Sequence, residues 1–322
     1  MKPIGLLGTA HIHTPGFLDQ MNKRGAKLLG LWDHDADRAA RNSEKTGAPV
    51  MGLDELIASP EVGSFVVCSE TCHHLDLVTK AAPRGLPMFV EKPLSASPEE
   101  SVKMAELMKA NGVVFQTGYF MRGTAGVQTL KRLVDEGAFG KITRVRFSNC
   151  HSGALGGWFD GEWRWMADRS KAGVGAYGDL GTHVIDLLLW MFGPVTSVTG
   201  ALGMGTARYE GCEELGEGLL KMESGVIATL AAGWNDVADS YRIQVSGTEG
   251  HALLGSTLQV AGKDGKMAEV ELDADVPSGF GAFLDVLEGK KVDLVTVDEA
   301  VERDAVASAL YRGAEGNCWV DL

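Results

Sequence analysis

Positive charge is in short supply in this chain. Its 322 residues include 30 Lys and Arg against 43 Asp and Glu, a formal net charge of −13. No basic tract offsets that balance, which argues against a polyanionic partner such as nucleic acid. Cysteine is scarce too. Five residues (Cys68, Cys72, Cys150, Cys212 and Cys318) form an odd, sparse set that does not read as a disulfide framework. No apolar run approaches membrane-spanning length, so a membrane partner is not expected. The chain starts directly on strand-like Ile4-Gly5-Leu6-Leu7-Gly8, with no secretory n-region, adequate h-region or cleavage site. The expectation is a cytoplasmic protein with reduced thiols. Repeats, low-complexity stretches and long linkers are also missing. What remains, 45% hydrophobic and 23% charged residues, is ordinary for a soluble globular enzyme with room for two cores.

The first third alternates apolar strands with helical patterns. Strands are expected at Ile4–Leu7, Lys27–Trp32, Ser64–Cys68, Met88–Glu91 and Val113–Thr117. Helices are expected near 15–24, 35–46, 53–58, 73–84 and 98–111. That alternation predicts a parallel sheet with right-handed crossovers. After about residue 122 the pattern changes. A helix near 124–136 leads to a strand Ile142–His151, a Trp/Gly-rich stretch 158–178 and an apolar helix opened by Asp179. Beyond Pro194 come short strands: Val195–Met204, Gly218–Met222, Val226–Trp234, Tyr241–Ser246, His251–Leu254, Leu258–Val260 and Ala268–Leu272. Turn signals separate them, which predicts an antiparallel sheet. A helix from Val297 to Gly313 follows. The fold class expected is therefore α/β: residues 1–122 as a doubly wound, dinucleotide-binding domain, and 123–322 as an α/β domain for substrate binding and oligomerisation.

Two segments carry the chemistry. Glu91-Lys92-Pro93 ends a parallel strand, and Asp179-Leu180-Gly181-Thr182-His183 opens a helix. Residues four apart share a helix face, so Asp179 and His183 can converge on one pocket. A lysine at a strand end facing a carboxylate and an imidazole suits alcohol–carbonyl redox chemistry. His183 can move a proton near neutral pH, and Lys92 can stabilise a developing alkoxide. Asp179 can equally cap the helix after Gly178.

The nucleotide signal is partial. Gly8-Thr9-Ala10-His11-Ile12-His13 occupies the place of G-x-G-x-x-G but keeps only the first glycine. Thr14-Pro15 reads as a cap followed by proline, which starts the helix late. Asp33, at the end of the second strand, can bond a ribose hydroxyl and repel a 2′-phosphate, favouring NAD(H) over NADP(H). His11, His13, His73, His74 and Cys72 match no common zinc spacing, so no metal is expected.

With those residues noted, the chain resembles the Gfo/Idh/MocA oxidoreductases over nearly its whole length. The resemblance rests on Val66-Val67-Cys68-Ser69-Glu70-Thr71-Cys72-His73-His74, on Gly85 to Leu94 with its Glu-Lys-Pro strand end, and on Gln116 to Arg122. It rests equally on Trp163-Arg164, Gly173-Val174-Gly175 and Asp179 to Asp186, where Val174 replaces a middle glycine. The likeness implies a Rossmann domain joined to a domain with a large open antiparallel sheet, and a nicotinamide over that sheet. It implies Lys92, Asp179 and His183 as the catalytic group, with a cis Lys92–Pro93 peptide. It places Gly8, Thr9, Ala10, His11, Ile12, Asp33, Ser69, Glu70, His74, Glu91 and Lys92 at the cofactor.

The substrate would then meet Lys92, Asp179 and His183. Arg122 is a candidate for a carboxylate or hydroxyl, and Arg164 for hydroxyls. Trp165, with Trp158 and Trp163, would form a wall or lid for a sugar, although packing at the domain interface accounts for at least two of these tryptophans. The expectation is an NAD(P)-dependent dehydrogenase or reductase acting on CH–OH, with NAD favoured. Its substrate is a small polyol, cyclitol, sugar or sugar acid. Val226–Trp234 is apolar on both faces, which predicts a homodimer or homotetramer formed through the sheet. Two rival readings stand beside this one. The first is a non-catalytic binding or sensor protein that has lost its cofactor grip. The second is an elimination or hydrolysis that uses NAD transiently.

Overall fold

The computed structural model describes residues 1–238 and 242–322. In the first sheet, β1 (Ile4–Leu7), β2 (Leu28–Trp32), β3 (Ser64–Val67), β4 (Met88–Val90) and β5 (Phe115–Gln116) lie in the order β2-β1-β3-β4-β5. All of its pairs are parallel, and Val50 adds a parallel bridge to Leu31. β1, β3 and β4 are buried along their whole length, as strands covered by helices on both faces must be. This is the doubly wound sheet that the alternating pattern predicts. Its strands end in the loops that carry Gly8, Asp33, Ser69 and Lys92, where such folds hold ligands.

The second sheet has nine strands. They are β6 (Ile142–Cys150), β7 (Val195–Gly203), β8 (Leu215–Met222), β9 (Ile227–Gly233), β10 (Arg242–Gly247), β11 (His251–Leu254), β12 (Leu258–Ala261), β13 (Ala268–Glu269) and β14 (Val320–Asp321). They run in the order β13-β12-β11-β10-β6-β9-β8-β7-β14. The antiparallel expectation holds for every pair but one, since β6 and β9 are parallel. The chain leaves β6, crosses through the helix Ala176–Phe192, and returns to its side as β9 after β7 and β8. Of the predicted strand Tyr241–Ser246, Tyr241 lies outside the described residues.

The helices Ala176–Phe192 and Val297–Gly316 cover one face of this sheet. In β8, Gly216, Gly218, Leu220 and Met222 are buried, while Leu215, Glu217 and Lys221 are exposed on the opposite face. An unforeseen helix, Gly279–Leu287, returns to the first sheet. Its Phe280, Phe283 and Leu284 pack with Ile4, Leu6 and Phe89. The glycines at 279 and 281 lower its intrinsic propensity, and tertiary burial supplies what propensity does not. β14, also unforeseen, pairs with β7 through Val320 and Val198. Among the described residues no helix is long and apolar enough to cross a membrane. All five cysteines are free.

Candidate active site

The helix Ala176–Phe192 begins one turn before Asp179. Its opening N–H groups are satisfied from elsewhere in the chain. Glu213 accepts the N–H of Gly175 at 2.7 Å through Oε1 and that of Ala176 at 3.0 Å through its carbonyl, and Tyr311 Oη accepts that of Gly178 at 2.9 Å. A side chain at Gly175 would run into the Glu213 carbonyl at 2.4 Å. Asp179 is therefore not needed as a cap, and its carboxylate turns to Lys92.

Lys92 leaves β4 through a cis Lys92–Pro93 peptide and is 3% exposed. Its Nζ donates to Asp179 Oδ1 at 2.7 Å and to the Asp179 carbonyl at 3.3 Å. Trp234 Nε1 donates to the other oxygen, Oδ2, at 3.3 Å. Burial disfavours a charge on Asp179, but the Lys92 ammonium outweighs it and brings the carboxyl down to about 2. The pair is thus an ion pair held inside the protein.

His183 sits one turn further along the helix, buried, with Phe120 edge-on at 5.1 Å between ring centroids. Its Nδ1 is a buried polar atom without a hydrogen-bond partner. Burial and then the nearby Lys92 push its pKa well below the usual imidazole value, against the opposing pull of Asp179. It is a neutral base near pH 7. Lys92, Asp179 and His183 line one cavity of about 340 Å³ together with Ile12, His13, Asn149, His151 and Trp158. Asn149, His151 and His13 were not foreseen at the substrate. The first two sit at the end of β6, and only the sheet register brings them beneath the helix.

At the edge of the first sheet, Gly8 has φ +84°, and a Cβ there would lie 2.6 Å from Ser69 Cα. Only glycine fits. Ser69 Oγ donates to the carbonyl of its neighbour Glu70 at 3.0 Å. Asp33 Oδ2 accepts from the N–H and hydroxyl of Thr9 at 2.7 and 2.8 Å and from Arg38 Nε at 2.9 Å. Its Oδ1 accepts from Arg38 Nη2 at 2.7 Å and from the N–H of Asp35 at 3.0 Å. Arg38 also reaches Glu70 Oε1 at 2.9 Å. Burial opposes ionisation of Asp33, but these donors, Arg38 foremost, lower its pKa. Arg38, bonded to both Asp33 and Glu70, is the centre of this end of the site.

The histidine loop folds inwards. The N–H of His13 donates to His11 Nδ1 at 3.2 Å, so the proton of neutral His11 sits on Nε2, 4.0 Å from Glu91 Oε1. Burial and the charges around it lower the His11 pKa well below normal. His13 Nδ1 lies 3.3 Å from the same Glu91 oxygen, and Glu91 Oε2 is buried without a partner. His74 Nδ1 binds the carbonyl of Leu94 at 3.0 Å and so braces the segment that follows Lys92 and Pro93.

Three residues expected at the substrate stand elsewhere. Arg122 binds Asp186 through Nε at 2.9 Å and Glu299 through Nη2 at 3.0 Å, at the junction of the two sheets. Arg164 donates to the carbonyl of Ala167 at 2.5 Å and lies over the Tyr209 ring. Trp165 is buried against the loop that follows β1, its Nε1 donating to the carbonyl of Ala10 at 3.0 Å. Sequence spacing does not show which acid will claim an arginine.

Residues 2–119 match the oxidoreductase family with an NAD-binding Rossmann fold, and residues 127–253 match the GFO/IDH/MocA C-terminal domain. The 1,5-anhydro-D-fructose reductase of Ensifer adhaerens is 24% identical over 98% of this chain and 96% of its own length. The scyllo-inositol 2-dehydrogenase (NAD(+)) of Bacillus subtilis strain 168 is 28% identical over 72% of this chain and 67% of its own. Among these and other curated relatives the matched share of the relative runs from 37% to 96%. Levoglucosan dehydrogenase, solved with NADH and levoglucosan, superposes with a TM-score of 0.83 at 20% identity, covering 99% of both chains. The chain belongs to the Gfo/Idh/MocA oxidoreductase family.

Proposed function

We propose that this protein is an NAD-dependent oxidoreductase that transfers a hydride between nicotinamide and a small polyol, cyclitol, sugar or sugar acid. One observation carries the reading: a largely buried Lys92–Asp179 pair faces the same cavity as the neutral His183. The names of the relatives, a cyclitol dehydrogenase and an anhydro-sugar reductase, point the same way. The division into a dinucleotide-binding part, 1–122, and a substrate-binding part, 123–322, belongs to this proposal. So do a homodimer or homotetramer formed through the open sheet face and a cytoplasmic location.

The residues fit a dinucleotide. At the nicotinamide end, His183 Nδ1 and Glu91 Oε2 are buried polar atoms still lacking partners, a state that folded proteins avoid unless a ligand completes it. At the ribose end, Asp33 already accepts from Thr9, Asp35 and Arg38. A ribose hydroxyl would replace the Thr9 hydroxyl, the uncharged side-chain donor of that set. Gly8, Thr9, Ala10, His11 and Ile12 would line the cofactor, with Asp33, Ser69, Glu70, His74 and Glu91. Asp33 and Glu70 together outweigh Arg38 and favour NAD over NADP.

Nicotinamide supplies the hydride acceptor or donor. The chain supplies the rest. In oxidation His183 takes the hydroxyl proton, and Lys92 Nζ holds the oxygen as negative charge grows on it. Asp179 bonds Lys92 rather than His183, so it positions the ammonium and keeps it charged. Incubating the protein with NAD and a polyol panel tests this. NADH formation supports the reading, and a protein that binds no dinucleotide contradicts it.

One observation favours elimination by transient oxidation as the second reading. His13, backed by Glu91, puts another imidazole on the same cavity, able to take a proton from carbon. Solvent deuterium entering recovered substrate or product at carbon distinguishes that route.

A further inference from the structure

Among the described residues that line the cavity beside Lys92, Asp179 and His183, no lysine or arginine is left unpaired. Among the described residues no arginine lines it, and Lys92 is its only ammonium. That ammonium is already paired with Asp179 at 2.7 Å. His183 is held neutral by burial. The two arginines that the sequence offered, Arg122 for a carboxylate or hydroxyl and Arg164 for hydroxyls, are committed elsewhere, Arg122 to Asp186 and Glu299, and Arg164 to the Ala167 carbonyl and the Tyr209 ring. A carboxylate or phosphate entering here would give up its water and meet no unpaired ammonium or guanidinium, which is unfavourable.

The walls are apolar instead. Phe120, Met121, Phe159, Met166 and Leu180 surround the reacting end. At the mouth Trp158 is 45% exposed and lies over His151, ring centroids 4.6 Å apart and planes inclined by 31°. This is a braced aromatic face, the kind of surface on which the C–H side of a saturated ring packs. Asn149 donates through Nδ2 to the Leu180 carbonyl at 3.0 Å. Its amide is thereby oriented, and Oδ1 is the atom left to accept a hydroxyl. A volume of about 340 Å³ accommodates one such ring beside the reacting groups.

We infer that the substrate is an uncharged single-ring polyol, either a cyclitol or a sugar without acid or phosphate, held with a bare C–H face on Trp158. Sugar acids, sugar phosphates and nucleotide sugars are disfavoured by the lack of an unpaired ammonium or guanidinium. This rests on the proposal that hydride transfer takes place in this cavity, and it narrows that proposal.

Calorimetric titration of the full-length protein, with and without NADH, tests it. The probes are myo-inositol, 1,5-anhydroglucitol, and the pairs methyl glucoside with methyl glucuronide and glucose with glucose 6-phosphate. The result expected is binding of at least one neutral ring, with each charged partner weaker by about 10-fold or more. Trp158→Ala weakens the neutral ring by about 10-fold, and Trp158→Phe restores most of it. Because Trp158 is exposed, neither change disturbs the core. Met166→Arg raises the relative affinity for the glucuronide. A charged probe that binds as tightly as its neutral partner overturns the inference, and so does failure of every neutral ring to bind. The two proposals fail separately. Neutral rings that bind without reducing NAD leave this inference standing and remove the redox reading. A glucuronide that reduces NAD does the reverse.

Discussion

Lys92 and Asp179, 87 residues apart in the chain, meet at 2.7 Å between Nζ and Oδ1 inside the protein. The strand that ends in Lys92 belongs to the parallel sheet. The helix that carries Asp179 belongs to the second. Their contact joins the two layers at the point where the chemistry is proposed.

Lys92→Ala should lower turnover by about 100-fold or more, since the ammonium acts on charge that grows during the reaction. Dinucleotide affinity should stay nearly intact. The variant also leaves the largely buried Asp179 without its counter-ion, at a stability cost of up to about 3 kcal/mol. Lys92→Met combined with Asp179→Leu should recover much of the melting temperature and none of the activity. Calorimetric melting and NADH formation, measured on both proteins, check the separation of the two roles.

His183 gives a prediction in pH. Its pKa is lowered by burial and by Lys92, so the neutral base persists below the usual imidazole range. The rate of alcohol oxidation, as far as it depends on this group, should stay level from neutral pH down through about 6.5 and fall only in more acidic solution. His183→Ala should remove that acidic limb together with most of the rate. A limb centred near the ordinary histidine value would assign the proton to another group.

Asp304 sits behind the Lys92–Pro93 segment, accepting from the N–H of Ser95 at 3.1 Å and the hydroxyl of Ser101 at 2.6 Å. Burial, only partly offset by these bonds, pushes its carboxyl up to about 7 from an ordinary 3.8. Because the folded-state pKa is raised, the folded protein holds a proton that the unfolded chain has lost. Stability from this group is therefore full below about pH 4 and falls as pH rises towards about 7. The change is at most on the order of 4 kcal/mol. Asp304→Asn should flatten that part of the melting profile and raise the melting temperature at pH 8 relative to the parent. Parallel profiles for the two proteins would contradict the assignment.

Arg38 pairs with Asp33 at 2.7 Å and with Glu70 at 2.9 Å. Asp33→Ala should weaken NADH binding by about 10-fold and narrow the gap to NADPH, because one of the two acids facing a 2′-phosphate is gone. Arg38→Met should do the opposite to selectivity, leaving two uncompensated carboxylates that repel the extra phosphate. Fluorescence titration with both nucleotides reads these changes without requiring a substrate.

The fold was legible where local pattern and burial agree. Strand-helix alternation in the first third gave the parallel sheet with strands close to those observed, and Lys92, Asp179 and His183 stood out because a strand end and a helical i, i+4 spacing placed them. The helix at Gly279–Leu287 was not legible, since its glycines weaken the local signal and its reason for existing, Phe280 and Phe283 against β1 and β4, is tertiary. The pairing of β6 with β9 was hidden for the same reason, and with it Asn149 and His151. Arg122 shows the limit most clearly. Its position at the domain crossing suits a substrate, yet Asp186 and Glu299, supplied from two distant helices, hold it.

The most direct test follows a label. The protein with bound NAD is given a cyclitol deuterated at its carbinol carbons, and the nicotinamide is examined for deuterium at C4, in parallel with Lys92→Ala. The account predicts deuterium on the nicotinamide in the parent protein and a rate lower by about 100-fold or more in the variant. Equal transfer in both proteins, or no dinucleotide binding in the parent, would contradict it.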